Sequence, residues 1–108
     1  MYAAMNYTDG YFLEIPEKWL NVITISRDAE NRLRTIYLWD NESETVLGEL
    51  VRIRTISDVE WDKENNGLSE YTEILRSEGL VYAAMFGNYY GPEKIDKNEL
   101  KKLFHLLG

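Results

Sequence analysis

Residues 10–26, GYFLEIPEKWLNVITIS, read as strand, proline-fixed turn, strand. Tyr11, Leu13 and Ile15 alternate with Phe12 and Glu14, the two-residue period of a strand with one face buried. Pro16 lacks a backbone N–H and has a fixed φ, so it closes that strand. Glu17 and Lys18 then make the turn, which lets Trp19 fold back over the core. Val22 opens a β-branched run that ends at Ser26.

Working outward, four more extended runs follow at short spacing: residues 33–39, 46–56, 71–76 and 80–86. Polar breaks separate them, and strands joined by short loops pair antiparallel, because a parallel pairing needs a crossover of a dozen residues or more. Ser77-Glu78-Gly79 is a tight hairpin signal, with Gly79 free to take positive φ. Tyr2-Ala3-Ala4-Met5 matches Tyr82-Ala83-Ala84-Met85, but the flanks differ, so the two segments read as strands with similar small-residue needs. One strong helix signal stands at residues 96–107. Asp96 is a good N-cap, Glu99 completes a capping-box pattern, and Leu100, Leu103, Phe104 and Leu107 form one apolar stripe. The fold class expected is therefore α+β: a mostly antiparallel sheet of about six strands with a C-terminal helix packed on one face.

The 108 residues suit one domain, and 44% hydrophobic content with 14 aromatic residues argues against disorder. The formal net charge is −7, from 19 acids and 12 bases. Nine acids lie in residues 1–54 and ten in residues 55–108, so there is no acidic tail. An acidic domain repels phosphate backbones, which argues against nucleic acid and anionic membranes as partners. No apolar run approaches the ~20 residues that direct membrane insertion needs. The absence of cysteine excludes disulfides, thiolate metal sites and cysteine nucleophiles.

The strand-Pro-x-x-Trp opening, Leu50-Val51-Arg52-Ile53, and Gly79-Leu80-Val81-Tyr82-Ala83-Ala84 followed by an acidic helix together carry a resemblance. The chain resembles small extracytoplasmic α+β domains of unknown function in Gram-positive surface proteins and lipoproteins. Its opening is similar to strand one of the PsbP/Mog1-like fold. The resemblance implies an extracytoplasmic or cell-surface binding or scaffold role, with no catalytic residues attached. The chain has no secretory leader and no lipobox cysteine, a departure that fits only a segment excised from a longer protein or a mature one.

Four constellations bear on chemistry. Asp62, Glu64, Asn66, Leu68 and Glu73, with Gly67 between them, match the calcium-loop spacing at four of five fixed positions. Glu64 departs from it, and the flanking segments read as strands, so a polar connection with a glycine turn competes with a calcium site. Arg32 and Arg34 begin one strand, and Arg52 and Arg54 end the next. With Leu38 opposite Gly48, all four share a face, the opposite face carries Leu33, Tyr37, Trp39, Leu47, Val51 and Ile53, and the arginines suit an anion. The competing expectation pairs them with Glu14, Glu49 or Glu73. Trp61, Tyr89 and Tyr90 lie in or beside loops, where rings stack on sugars, anchor protein partners or simply pack locally. Asp58, Glu60, Asp62 and Glu64 alternate along one segment and would serve acid–base catalysis if two converged in a cleft with one desolvated. His105 is the only histidine, and no serine elbow accompanies it, so nucleophilic catalysis finds little support. The function expected is a non-enzymatic binding or scaffold module for a protein or carbohydrate ligand. A small carboxylate enzyme and a calcium-stabilised structural domain stand as alternatives. Nothing in the sequence sets the oligomeric state.

Overall fold

The computed structural model describes residues 2–108, which form eight strands in two antiparallel sheets. The smaller sheet has the order β1-β2-β8, from β1 (Ala3–Asn6), β2 (Tyr11–Glu14) and β8 (Phe104–Leu106). The larger has the order β3-β4-β5-β7-β6. Its strands are β3 (Ile23–Asp28), β4 (Leu33–Asp40), β5 (Thr45–Ser57), β6 (Thr72–Ser77) and β7 (Leu80–Phe86). Two short helices, α1 (Asp58–Trp61) and α2 (Lys97–Leu103), complete the chain.

The stretch that decides the fold behaves as its residues dictate. Pro16 ends β2, and Glu17–Trp19 make one 3-10 turn. Trp19 is driven fully into the core, where its indole N–H donates to the Glu93 carbonyl at 2.7 Å. Lys18 points the other way and donates to the Lys94 carbonyl and the Glu99 carboxylate, at 2.8 and 2.9 Å. One turn thus ties the smaller sheet to the segment leading into α2.

The core lies between the sheets. Tyr11 and Leu13 of β2 and Phe104 of β8 share a buried cluster with Ile36, Val51, Ile53, Tyr82 and Ala84 of the larger sheet. Tyr11 stacks on Phe104 at 4.8 Å and meets Tyr82 edge-on at 5.7 Å, so three rings bridge the two layers. Such aromatic pairs add about 0.5–1.5 kcal/mol each beyond the area they bury.

The six expected strands are all present, and Tyr2-Ala3-Ala4-Met5 contributes β1, as read. The C-terminal helix is shorter than expected. Asp96 caps it through the Glu99 N–H at 2.8 Å, but the helix stops at Leu103. Of its apolar stripe, Leu100 is buried in the core from the helix and Leu103 packs against it part-buried, while Phe104 enters it from a strand. Residues 104–106 leave the helix because pairing with β2 seats Phe104 on Tyr11 and stacks His105 on Phe12 at 4.8 Å. The Glu78-Gly79 turn takes φ of 48° and 81°, the doubly left-handed turn that suits a two-residue hairpin.

Candidate functional site

The central β4–β5 pair sets where the candidate residues fall. Leu38 does face Gly48, but the register slips on both sides of that pair. Tyr37 pairs with Glu49 and Ile36 with Val51, so Leu50 is an extra residue in β5. A bulge of this kind reverses the facing of everything beyond it. Arg34 therefore lies opposite Ile53, and Arg52 lies opposite Thr35. The four arginines do not share a face. Nor does the expected apolar face form as a unit: Val51 and Ile53 are buried, while Leu47 is 57% exposed.

Each arginine has its own surroundings. Arg32 precedes β4 in the left-handed region, φ 51°, and its Nε donates to the buried Asp9 carboxylate at 2.6 Å. Arg34 reaches towards the Met5 carbonyl at 3.5 Å. Arg52 donates to Glu49 at 2.9 Å, one of the pairings expected from sequence, and that hydrogen bond raises its pKa. Arg54 has a buried Nε with no protein partner. Of the other acids named as partners, Glu73 pairs with Arg76 and Glu14 with His105, at 2.8 and 2.6 Å.

The segment with calcium-loop spacing is organised around a guanidinium. Arg76 donates to both oxygens of Asp62, at 2.9 and 2.8 Å, and to Glu73 at 2.8 Å. Asp62 and Glu73 thus converge, as first and last ligands would, but on a cation supplied by β6. Asn66 spends its side chain on the Trp61 carbonyl and the Leu68 N–H. Leu68 is buried and Glu64 exposed. Among the described residues no three His, Cys, Asp or Glu side chains are grouped to hold a metal ion. The carboxylates proposed for acid–base work do not meet the requirement of burial. Asp58 is half-buried, Glu60, Asp62 and Glu64 are exposed, Glu60 pairs with Lys63 at 2.8 Å, and Arg76 lowers the Asp62 pKa.

The aromatic residues divide. Trp61 follows β5 at one end of the larger sheet, whereas Tyr89 and Tyr90 follow β7 at the other. The three do not form one patch. Tyr89 and Tyr90 instead join Arg52 around an open cleft of about 940 Å³. Its walls come from the bulged part of β5, the end of β7 and Glu70, so the bulge that separates the arginines also brings one of them here.

Two glycines shape this cleft. At Gly87 a Cβ would overlap the Glu49 carbonyl oxygen, so only glycine lets the chain leave β7 so close to β5. At Gly91 a Cβ would overlap the Tyr89 hydroxyl. The Tyr89 ring lies against Gly48, and its hydroxyl donates to Glu93, which raises the tyrosine pKa. Tyr90 is 82% exposed, with Lys94 Nζ 4.8 Å from the ring centroid. The cleft thus joins a fixed Arg52–Glu49 pair, a held tyrosine, an exposed tyrosine ring beside the Lys94 ammonium, and the polar side chains of Asn88 and Glu70. Sequence reasoning named Glu49 as a partner for the arginines but missed Glu70 and Asn88 as neighbours. Their separation along the chain carries no spacing signal, and the pairing of β7 with both β5 and β6 brings them to the cleft. No helix among the described residues is long and apolar enough to cross a membrane. No family model, no curated relative and no solved structure matches the chain.

Proposed function

We propose that this domain is a non-enzymatic binding module that takes a carbohydrate in the cleft between the start of β5 and the end of β7. The observation that supports this most is the convergence of Arg52, Tyr89 and Tyr90 on one open cavity from segments far apart in sequence. A sugar ring offers an apolar face and a rim of hydroxyls. The exposed Tyr90 ring matches the first, and Arg52, Glu49, Glu70 and Asn88 match the second. The Arg52–Glu49 pair also orients both groups before a ligand arrives, which lowers the ordering cost of binding. The extracytoplasmic setting belongs to the same proposal and rests on the resemblance carried by the residues quoted above.

The test is a panel of soluble neutral and acidic oligosaccharides at millimolar concentration, followed by NMR shifts of the Tyr90, Asn88 and Glu70 amides. At least one saccharide should move these resonances, and Tyr90→Ala should weaken that binding by about tenfold, the loss of one stacked ring. A panel that leaves all three amides unmoved, or a saccharide bound equally well by Tyr90→Ala, overturns the proposal.

A further inference from the structure

A second groove, of about 890 Å³, runs between β1 and β3, the edges of two different sheets. The backbone groups facing it follow from the ladders. The Ile15 N–H donates to the Tyr2 carbonyl, so Tyr2, Ala4 and Asn6 spend their backbone groups on β2. Those of Ala3 and Met5 then point outward. The Trp39 N–H donates to the Val22 carbonyl, so by the same alternation Ile23, Ile25 and Arg27 turn their backbone groups away from β4. Strand β3 has six residues with no break in register, about 20 Å of ladder at ~3.3 Å per residue.

The molecule's other two sheet edges are blunted. Strand β6 carries a register shift between Glu73 and Leu75, and β8 is three residues long. Bulges and shortness are common defences against unwanted strand pairing. Neither β1 nor β3 has a bulge, a proline or a lysine.

The groove also departs from the rest of the surface in charge. Its lining holds Arg27 and Arg34 and no acid, in a chain of 19 acids and 12 bases, and among the described residues neither arginine has a carboxylate within ion-pair distance. Both guanidinium groups line this groove, whose lining also includes the buried Trp19, while Tyr2 and Tyr7 stand exposed at its rim.

We infer that the groove receives an extended segment of another polypeptide, which adds a strand to the open edge of β3 and presents carboxylate side chains to Arg27 and Arg34. Outward backbone groups give such a segment its ladder, and alternate side chains reach the groove floor. The arginines choose an acidic sequence over a basic one, a choice that the overall negative charge of the domain would not make.

The probe is a blocked eight-residue peptide alternating valine with aspartate and threonine, compared with one carrying lysine for aspartate. The readout is amide hydrogen exchange at Ile23, Ile25 and Arg27. The acidic peptide at saturation should slow exchange at these three amides by about tenfold or more, and the lysine peptide should not. Arg27 is exposed, so Arg27→Glu should fold normally while reversing the preference towards the lysine peptide. Unchanged exchange at millimolar acidic peptide overturns the inference, as does protection confined to β6 or β8. Protection of the three amides that grows with protein concentration alone would assign the groove to a second copy of this chain and would also overturn it.

Discussion

Replacing Asp9 by alanine removes the group that holds the β1–β2 loop against the larger sheet. The Asp9 carboxylate accepts from Asn6 Nδ2 at 3.0 Å and from Arg32 Nε at 2.6 Å. Two backbone bonds survive the substitution: Asp9 N–H to Asn6 Oδ1 at 3.1 Å, and Tyr82 Oη to the Asp9 carbonyl at 2.8 Å. The ion pair looks like the larger loss, yet the Arg32 side chain is 39% exposed and water can replace its partner. An exposed pair contributes roughly 0–1 kcal/mol. Asn6 is 1% exposed, and its amide would be left unsatisfied at a cost of about 1–3 kcal/mol. The expected total is therefore about 1–4 kcal/mol, most of it from Asn6. Urea unfolding followed by tryptophan fluorescence measures this as a lower midpoint at constant slope, since Trp19 is fully buried in the native state. In an Asn6→Ala background the same Asp9→Ala change should cost only about 1 kcal/mol, because no buried amide remains to be orphaned. A loss below about 0.5 kcal/mol, or equal losses in the two backgrounds, would refute the assignment of Asn6 as the main term.

Two further outcomes follow from the geometry. Gly87→Ala should destabilise by about 2 kcal/mol or more, because the new Cβ meets a backbone carbonyl that cannot rotate away. Thermal melting should register this as a clear fall in Tm, and a melt within one degree or so of the parent would show that β5 and β7 can separate freely at this point. Arg76 holds the Asp62 pKa below the ordinary aspartate value, so the pair's contribution is complete above the unfolded-state pKa of ~3.9 and fades as pH falls through the lowered folded value. Carboxyl-carbon NMR should place the Asp62 midpoint below that of an unperturbed aspartate and return it towards normal in Arg76→Gln; one midpoint in both proteins would remove the pairing.

Much of the architecture could be read from residue order alone. Pro16 and Trp19 fixed the turn, the polar breaks delimited six strands, and Glu78-Gly79 announced its hairpin. The helix boundary was misread because Leu100, Leu103, Phe104 and Leu107 fit a 3.6-residue period, while Phe104 and His105 gain partners only by joining β2. Tertiary pairing outweighed local periodicity there. The face assignment of the arginines failed at one residue, Leu50. A bulge leaves only a weak local trace, here the adjacent apolar pair Leu50-Val51, yet it inverts every side chain that follows. Arg52, Tyr89 and Tyr90 were each noticed in the sequence, but in separate groups. Their meeting in one cleft depends on that bulge and on Gly87, which no spacing rule connects.

The position of β8 has a consequence for the order in which the protein assembles. The middle strand of the smaller sheet comes from the start of the chain, and one of its two neighbours comes from the far end, with Glu14 and His105 meeting across 91 positions. The larger sheet needs only one pairing between strands that are not consecutive, β5 with β7, and its β3–β4, β4–β5 and β6–β7 pairs are hairpins that can form locally. On a ribosome, β2 would emerge early and keep one backbone edge open until nearly the whole domain had been made. Synthesis, not collapse, would then set the moment at which that edge closes.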